Sequence, residues 1–546
     1  MPIETPFSKL TALVVDDSTT QQGTLRGQLT SLGIQKVEVA GNPDDALRLA
    51  KSGKHNLVLC DYNLNHKTDG QQLLEYLRES EALSPDCLFF MVTAESTYTS
   101  VAAASEHKPD AYLLKPITAA DVEERLRSSL ERRKALTPIT EALVRKDLPA
   151  ALAACDATLA RKDRWAMAAL QHKGNLLLQL GRHADAAALY GAVRDQQPKL
   201  AWPRIGLGRA LKAGGALDEA RELAEALIGS ADGNRNVAAY DLLADVFEAQ
   251  GDTQAAQWTL RDAAVAVPSA KRQRLLAEAA FRNGDLATAS EAMTKVSKAT
   301  QGAITSQPQD VLTLAQTMTD LGQSVECLAL LEKNKARFAT TPQQESVAEA
   351  IRAQALARTG DTEGAARALA RARETLRSPK ADFGTVALAR AELVAGSEEQ
   401  GLKLLSVAVG ADHESPRVKQ LVQGALRATG HDDKVERLLA AASAALDQRV
   451  AKAKAMFRDN RIDDALAAIE EALKDVPENT GVLLQAAQMN CMALRLKKQA
   501  NASAVERVRR YLARLDKLMP YNDRVAQMQR YFRETLFSLT EAAEAA

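Results

Sequence analysis

At 546 residues the chain is long enough to hold more than one domain. Its 70 basic and 70 acidic side chains cancel, which counts against nucleic acid or an anionic membrane as a partner. Cys60, Cys87, Cys155, Cys327 and Cys491 are scattered with no Cys-x-x-Cys; three of them fall within apolar segments and read as small core residues in a reducing compartment. The start, Met1 to Thr5, lacks a basic n-region and an apolar h-region. No apolar run approaches the ~20 residues of a membrane helix. These features predict a cytoplasmic protein without membrane insertion.

The first elements in chain order are short apolar runs, each ended by a polar residue. Leu13-Val14-Val15 is followed by Asp16 and Asp17, and Leu57-Val58-Leu59-Cys60 by Asp61. Leu88-Phe89-Phe90-Met91-Val92 is followed by Thr93, and Ala111-Tyr112-Leu113-Leu114 by Lys115. Apolar runs alternating with helical patterns predict buried parallel strands. Ligands bind at the carboxyl ends of such strands. Carboxylates, a hydroxyl and an ammonium on one rim predict a cation site that handles phosphate.

This pattern resembles the receiver domain of two-component response regulators, over residues 6–134. The resemblance implies an α/β doubly wound, five-stranded parallel sheet of flavodoxin-like topology. It implies that Asp61 is the phosphoacceptor, taking a phosphoryl group from a sensor histidine kinase or phosphotransfer protein and forming an aspartyl phosphate. It also implies that Asp16, Asp17, Asp61 and the backbone carbonyl of Asn63 hold Mg²⁺, an ion suited to oxygen ligands. Lys115 would pair with the phosphoryl oxygens. Thr93 and Tyr112 would be the switch residues. Lys115-Pro116 is a site where a cis peptide costs only about 0.5–1 kcal/mol. The loop from Tyr62 to Gly70 departs from the family: it is longer and more polar, and it carries His66, read as a solvated histidine. Glu95 adds another charge two residues after Thr93.

The segment from Asp121 to Leu130 reads as the last receiver helix, with Val122, Leu126 and Leu130 on one face. Pro138 predicts a break between domains. Beyond it the composition turns to Ala, Leu, Arg and Glu, and the chain repeats. Gly174 and Gly208 are 34 residues apart, as are Gly181 and Gly215, and Ala186 and Ala220. Leu180-Gly181-Arg182-His183-Ala184-Asp185-Ala186 recurs in altered form after Gly251, Gly284 and Gly360, with Asn460 as a variant. The later copies at Gly322, Gly396 and Gly430 have Cys327, Gly401 and Val435 in place of the alanine.

An αα-hairpin explains the pattern. Gly, or Asn at 460, ends one helix in the left-handed conformation. An Asp or Thr caps the next helix, and the Ala five residues past the Gly permits close approach. An apolar residue further on (Tyr190, Leu260, Met293, Leu369, Ile469) packs inward, and Pro198, Pro268 and Pro477 close repeats. This resembles the tetratricopeptide repeat, and it predicts an all-α solenoid of about ten helix pairs over residues 135–545. The resemblance implies a protein partner on the concave face of the array. Two basic runs, Arg495-Leu496-Lys497-Lys498 and Arg507-Val508-Arg509-Arg510, read as the solvated face of a terminal helix.

Together these readings predict a phosphorylation-dependent response regulator whose repeats bind protein. Its only chemistry would be self-phosphorylation and self-dephosphorylation, so it is not a metabolic enzyme. The output face would include residues 98–107, Tyr112 and the Asp121 helix, docking on or releasing the first repeats or forming a receiver-mediated homodimer. The alternatives are a constitutive scaffold with an idle receiver used for docking, and a nucleic-acid-binding regulator.

Overall fold

The computed structural model describes residues 7–84, 86–94, 108–145, 147–230, 236–376, 382–411, 416–497, 501–518 and 523–544. The chain forms two compact units. One holds Met1–Leu177, His183–Leu275 and Lys295–Gln307; the other holds Leu178–Arg182, Leu276–Thr294 and Pro308–Ala546.

The first unit opens with strands β1 (Thr11–Val15), β2 (Lys36–Ala40), β3 (Leu57–Asp61), β4 (Leu88–Thr93) and β5 (Ala111–Leu114). They pair in parallel in the order β2-β1-β3-β4-β5. Helices α1 (Thr19–Ser31), α2 (Pro43–Ser52) and α3 (Gly70–Glu79) lie between them in sequence. This is the predicted doubly wound, flavodoxin-like sheet. Its central strands β3 and β4 are buried along their whole length, which is why they read as unbroken apolar runs. The edge strand β2 exposes Lys36, Glu38 and Val39, so it forms no such run. Side chains alternate between two cores. Leu13, Val15, Val58, Phe89 and Met91 pack with Leu73, Leu74 and Leu77 on one face. Val14, Leu57, Leu59, Phe90 and Val92 pack with Leu25, Leu29, Val122 and Leu126 on the other.

Helix α4 (Ala119–Val144) begins in a capping box between Thr118 and Asp121. It passes straight through Pro138, so the break predicted there does not occur. A proline removes one helical hydrogen bond and crowds the carbonyl four residues back. Neither nearby threonine replaces the donor lost to the Lys134 carbonyl: the Thr137 hydroxyl donates to the Arg133 carbonyl (2.9 Å) and the Thr140 hydroxyl to the Thr137 carbonyl (3.1 Å). Burial on both sides of the proline offsets the cost. Val122 and Leu126 belong to the sheet's core, whereas Leu136, Ile139 and Ala142 pack with Ala151, Cys155 and Ala169. One helix is thus both the last of the α/β domain and the first of the helical array.

The array continues as α5 (Leu148–Ala160), α6 (Ala166–Gln179), α7 (His183–Gln196), α8 (Ala201–Ala213), α9 (Leu217–Ile228), α10 (Val237–Gln250), α11 (Thr253–Ala266), α12 (Ala270–Arg282), α13 (Leu286–Thr300) and α14 (Pro308–Asp320). Further helices follow to Asp523–Glu544. Gly181, Gly215, Gly251, Gly284, Gly322, Gly360, Gly396 and Gly430 all have φ between 67° and 87°, and Asn460 has φ 61°. Each predicted turn is therefore left-handed. Asp252, Asp285 and Asp361 accept the amides of Ala255, Thr288 and Gly364 as caps. Ala186, Ala220, Ala256, Ala289 and Ala465 are fully buried, as is Cys327 in the drifted copy.

Tyr190 shows how tightly one repeat is built. A Cβ on either Gly174 or Gly206 would lie 2.4 Å from its ring. Its hydroxyl donates to Asn175 Oδ1 at 2.9 Å, and its ring meets Trp202 edge-on at 6.0 Å. In the second unit, Arg390 and Asp320 form an ion pair with side chains only 3% and 2% exposed. The Arg390 guanidinium lies 5.3 Å from the centre of the Phe281 ring.

Candidate phosphoacceptor site

The strand ends place the site. Asp61 is the last residue of β3, and Asp16 and Asp17 follow β1. Thr93 ends β4, and Lys115 follows β5 with its amide donating to the Thr93 carbonyl at 2.8 Å. The Lys115–Pro116 peptide is cis. Strand order puts β1 and β3 side by side at the centre of the sheet, so the acidic residues converge. Carboxylate oxygens of Asp16, Asp17 and Asp61 lie within 4.8 Å of one another.

Local chemistry fixes each carboxylate. Asp16 is wholly buried, and its Oδ1 accepts the Ser18 amide at 2.9 Å. Ser18 is the N-cap of α1. Helix α3 starts against the backbone of Asp61: a Cβ at Gly70 would lie 2.3 Å from the Asp61 carbonyl oxygen. The Gly70 amide donates to the Tyr62 carbonyl at 2.8 Å, and Asp69 closes a capping box with Gln72. Only glycine allows α3 this close to the strand end.

Lys115 Nζ lies 2.9 Å from Asp61 Oδ2 and 3.3 Å from Asp16 Oδ2. Burial raises the Asp61 pKa; the hydrogen bond and charge of Lys115 oppose this, while Asp16 and Asp17 add to it. Burial alone would lower the Lys115 pKa, but its bond to Asp61 and the charges of Asp61 and Asp16 outweigh burial and raise it. The arrangement concentrates negative charge around one partly screened lysine. It can coordinate a divalent cation, and oxygen-only donors fit a hard ion.

The other predicted residues sit around this cluster. Thr93 is buried. Tyr112 is half-buried against the core, its pKa is pushed up to about 12 by burial, and its hydroxyl has no hydrogen-bond partner among the described residues. Asn63 is exposed in the loop after β3, as is His66. Glu95 and residues 98–107 of the predicted output face lie outside the described residues.

Sequence reasoning missed Asn65. It takes φ 45°, and its side-chain amide donates to Asp17 Oδ2 at 2.5 Å. Asparagine tolerates that conformation best among residues bearing a Cβ, which is the one signal in the sequence. The basic runs near the end of the chain are largely neutralised. Lys497 pairs with Asp463 at 2.7 Å, Arg507 with Glu470 at 3.7 Å and Arg509 with Glu506 at 3.7 Å. All five cysteines are free and buried. Among the described residues no helix is long and apolar enough to cross a membrane.

A five-stranded parallel sheet with an acidic cluster at its carboxyl edge, followed by helical repeats, is the architecture of a receiver module joined to a repeat array. Comparisons agree. The family model of the response regulator receiver domain matches residues 12–127, and that of the tetratricopeptide repeat matches residues 177–246. Chemotaxis protein CheY-3 of Vibrio cholerae serotype O1 is 31% identical over 120 residues, which is 22% of this chain and 91% of that protein. Chemotaxis protein CheY of Pseudomonas aeruginosa is 30% identical over 120 residues, which is 22% of this chain and 95% of that protein. Through its first domain the chain belongs to the response regulator receiver family, and a tetratricopeptide-like helical region follows. Among solved structures, a tetratricopeptide repeat protein from Parabacteroides merdae aligns with 50% of this chain and 98% of its own, at 12% identity and a TM-score of 0.29.

Proposed function

We propose that this protein is a phosphorylation-dependent response regulator in which Asp61 is the phosphoacceptor and the repeats carry the output. One observation supports this above the others: three carboxylates within 4.8 Å at the sheet's carboxyl edge, with Lys115 bonded to the Asp61 oxygen.

In this reading an Asp61 oxygen attacks the phosphorus of a phosphohistidine on a kinase or phosphotransfer protein. The new P–O bond forms as the P–N bond breaks, and the leaving imidazole nitrogen keeps the electron pair and takes a proton. Asp16, Asp17, Asp61 and the Asn63 carbonyl hold Mg²⁺, which offsets the charge of the phosphoryl oxygens. Lys115 turns from Asp61 to a phosphoryl oxygen. The Thr93 hydroxyl donates to another, and Tyr112 responds to that movement. Hydrolysis of the aspartyl phosphate resets the site. The protein makes no other turnover. Its output is a protein contact of the repeat helices, and a receiver-mediated homodimer is a second candidate output. The five buried thiols suit a reducing cytoplasm, where the phosphodonor would also reside.

Intact-mass spectrometry after incubation with a small-molecule phosphoryl donor and Mg²⁺ tests the reading. One phosphoryl group should appear on the wild-type chain and none on Asp61→Asn. No uptake by the wild type, or equal uptake by the variant, would leave a constitutive scaffold as the better account.

A further inference from the structure

The array touches the receiver at a place the sequence does not announce. Lys67, in the loop between β3 and α3, donates from Nζ to the Gln301 carbonyl at 2.6 Å. Gln301 lies in the turn between α13 and α14. The next residue, Gly302, has φ 77°, and a Cβ there would lie 3.4 Å from Lys67 Nζ. Two residues on, Ile304 packs against the receiver core that contains Leu73, Leu77 and Met91. Arg274 of α12 holds this turn from the array side, donating to the Thr305 carbonyl at 2.9 Å. Lys271 of α12 lies 3.8 Å from Glu79 of α3. The contact thus combines a polar tether, an apolar plug and an ion pair.

The same loop reaches the acidic cluster at its other end. Asn65 donates to Asp17, and Lys67, two residues further on, donates to Gln301. A cation bound at Asp17 draws electron density from the carboxylate that Asn65 donates to, and its charge repels the positive end of the amide N–H.

We propose that the 301–305 turn is the receiver's intramolecular partner, and that the β3–α3 loop sets the acidic site and this contact against each other. When Asp16, Asp17 and Asp61 hold a cation and a phosphoryl group, Asn65 leaves Asp17, the loop shifts, and the grip of Lys67 on Gln301 weakens. Occupancy of the site releases the turn. The phosphoryl half of this rests on Asp61 being the phosphoacceptor; the contact and the cation half do not.

Linkage makes the proposal measurable, because a coupling acts equally in both directions. The full-length wild type, Lys67→Ala and Asn65→Ala are titrated by calorimetry with Mg²⁺ alone and with Mg²⁺ plus beryllofluoride. Lys67 and Asn65 are exposed, so neither truncation empties a core. Each variant should bind both ligands at least about 5-fold more tightly than the wild type, the lower end of typical coupling. Hydrogen exchange at residues 301–306 should quicken on adding ligand to the wild type. In Lys67→Ala it should already be fast without ligand. Equal affinity in wild type and Lys67→Ala, weaker binding by Lys67→Ala, or ligand-independent exchange at the turn would each overturn the coupling. Binding of Mg²⁺ without beryllofluoride would refute the phosphoacceptor reading and with it the phosphoryl half, while the Mg²⁺ titration still decides the cation half.

Discussion

The ammonium of Lys115 stands 2.9 Å from the carboxylate of Asp61, across the mouth of a sheet in which their strands are not neighbours. Strand β4 separates β3 from β5, and the lysine spans that width to reach Asp61 and Asp16. This ammonium is the one group among those acting on the Asp61 pKa that holds it down. Lys115→Met should therefore raise the Asp61 pKa further and remove a cation from the transferring phosphoryl group. Loss of such a charge costs about 100-fold in rate. Initial rates of phosphoryl uptake at saturating Mg²⁺ measure this, and a wild-type rate would remove Lys115 from the chemistry.

Asp61→Asn should stabilise the fold at neutral pH. The folded-state pKa of Asp61 is raised above its ordinary value of 3.8, chiefly by burial, so the unfolded chain releases this proton more readily. Stability from this group is fully present below pH 3.8 and is lost as pH rises through the folded pKa. The asparagine variant never carries that charge. Thermal unfolding should place its Tm above wild type at pH 7, with the gap closing as pH falls into the carboxylate range. A gap that widens on acidification would contradict the shift.

Glycines in the array serve two separate needs, and substitution distinguishes them. Gly251 has φ 82° with open space around its missing Cβ, so Gly251→Ala should cost about 1–2 kcal/mol from backbone conformation alone. Gly206 is helical, but an added Cβ would strike the Tyr190 ring at 2.4 Å, so Gly206→Ala should cost about 1–3 kcal/mol from overpacking. Adding Tyr190→Leu should recover part of the second loss and none of the first. Urea unfolding of the two double variants measures the coupling, and equal coupling would mean that the contact is not the cause.

The Asp320–Arg390 pair is nearly inaccessible to water, so its members depend on each other. Asp320→Ala leaves an uncompensated guanidinium over Phe281 and should destabilise by about 3–5 kcal/mol. The double change Asp320→Leu with Arg390→Met should cost less than either single charge removal. Chemical denaturation of Asp320→Leu, Arg390→Met and the double variant gives the comparison; additive losses would show that the charges act independently.

What the sequence determined by itself was local. Asp16, Asp17, Asp61 and Thr93 were legible because each directly follows or ends an apolar run, and central parallel strands must be apolar on both faces. Lys115 was legible because the edge strand β5 is still composed of Ala111, Tyr112, Leu113 and Leu114, although Leu114 is exposed. The other edge strand, β2, was not, because it places Lys36, Glu38 and Val39 in water. The left-handed turns from Gly181 to Asn460 were legible for a similar reason: φ depends on the residue's own Cβ and needs no distant partner. Tertiary structure decided what depends on distant partners. Pro138 signals a break by its own chemistry, yet burial of Val122 and Leu126 on one side and Ile139 on the other carries α4 through it. Asn65 meets Asp17 across 48 residues and Lys67 meets Gln301 across 234, and no periodicity or motif encodes such pairings. They exist because the sheet brings the β1 and β3 ends together and the array folds back on α3. The chemistry of this protein can thus be read along the chain, whereas the coupling between its chemistry and its repeats arises only in three dimensions.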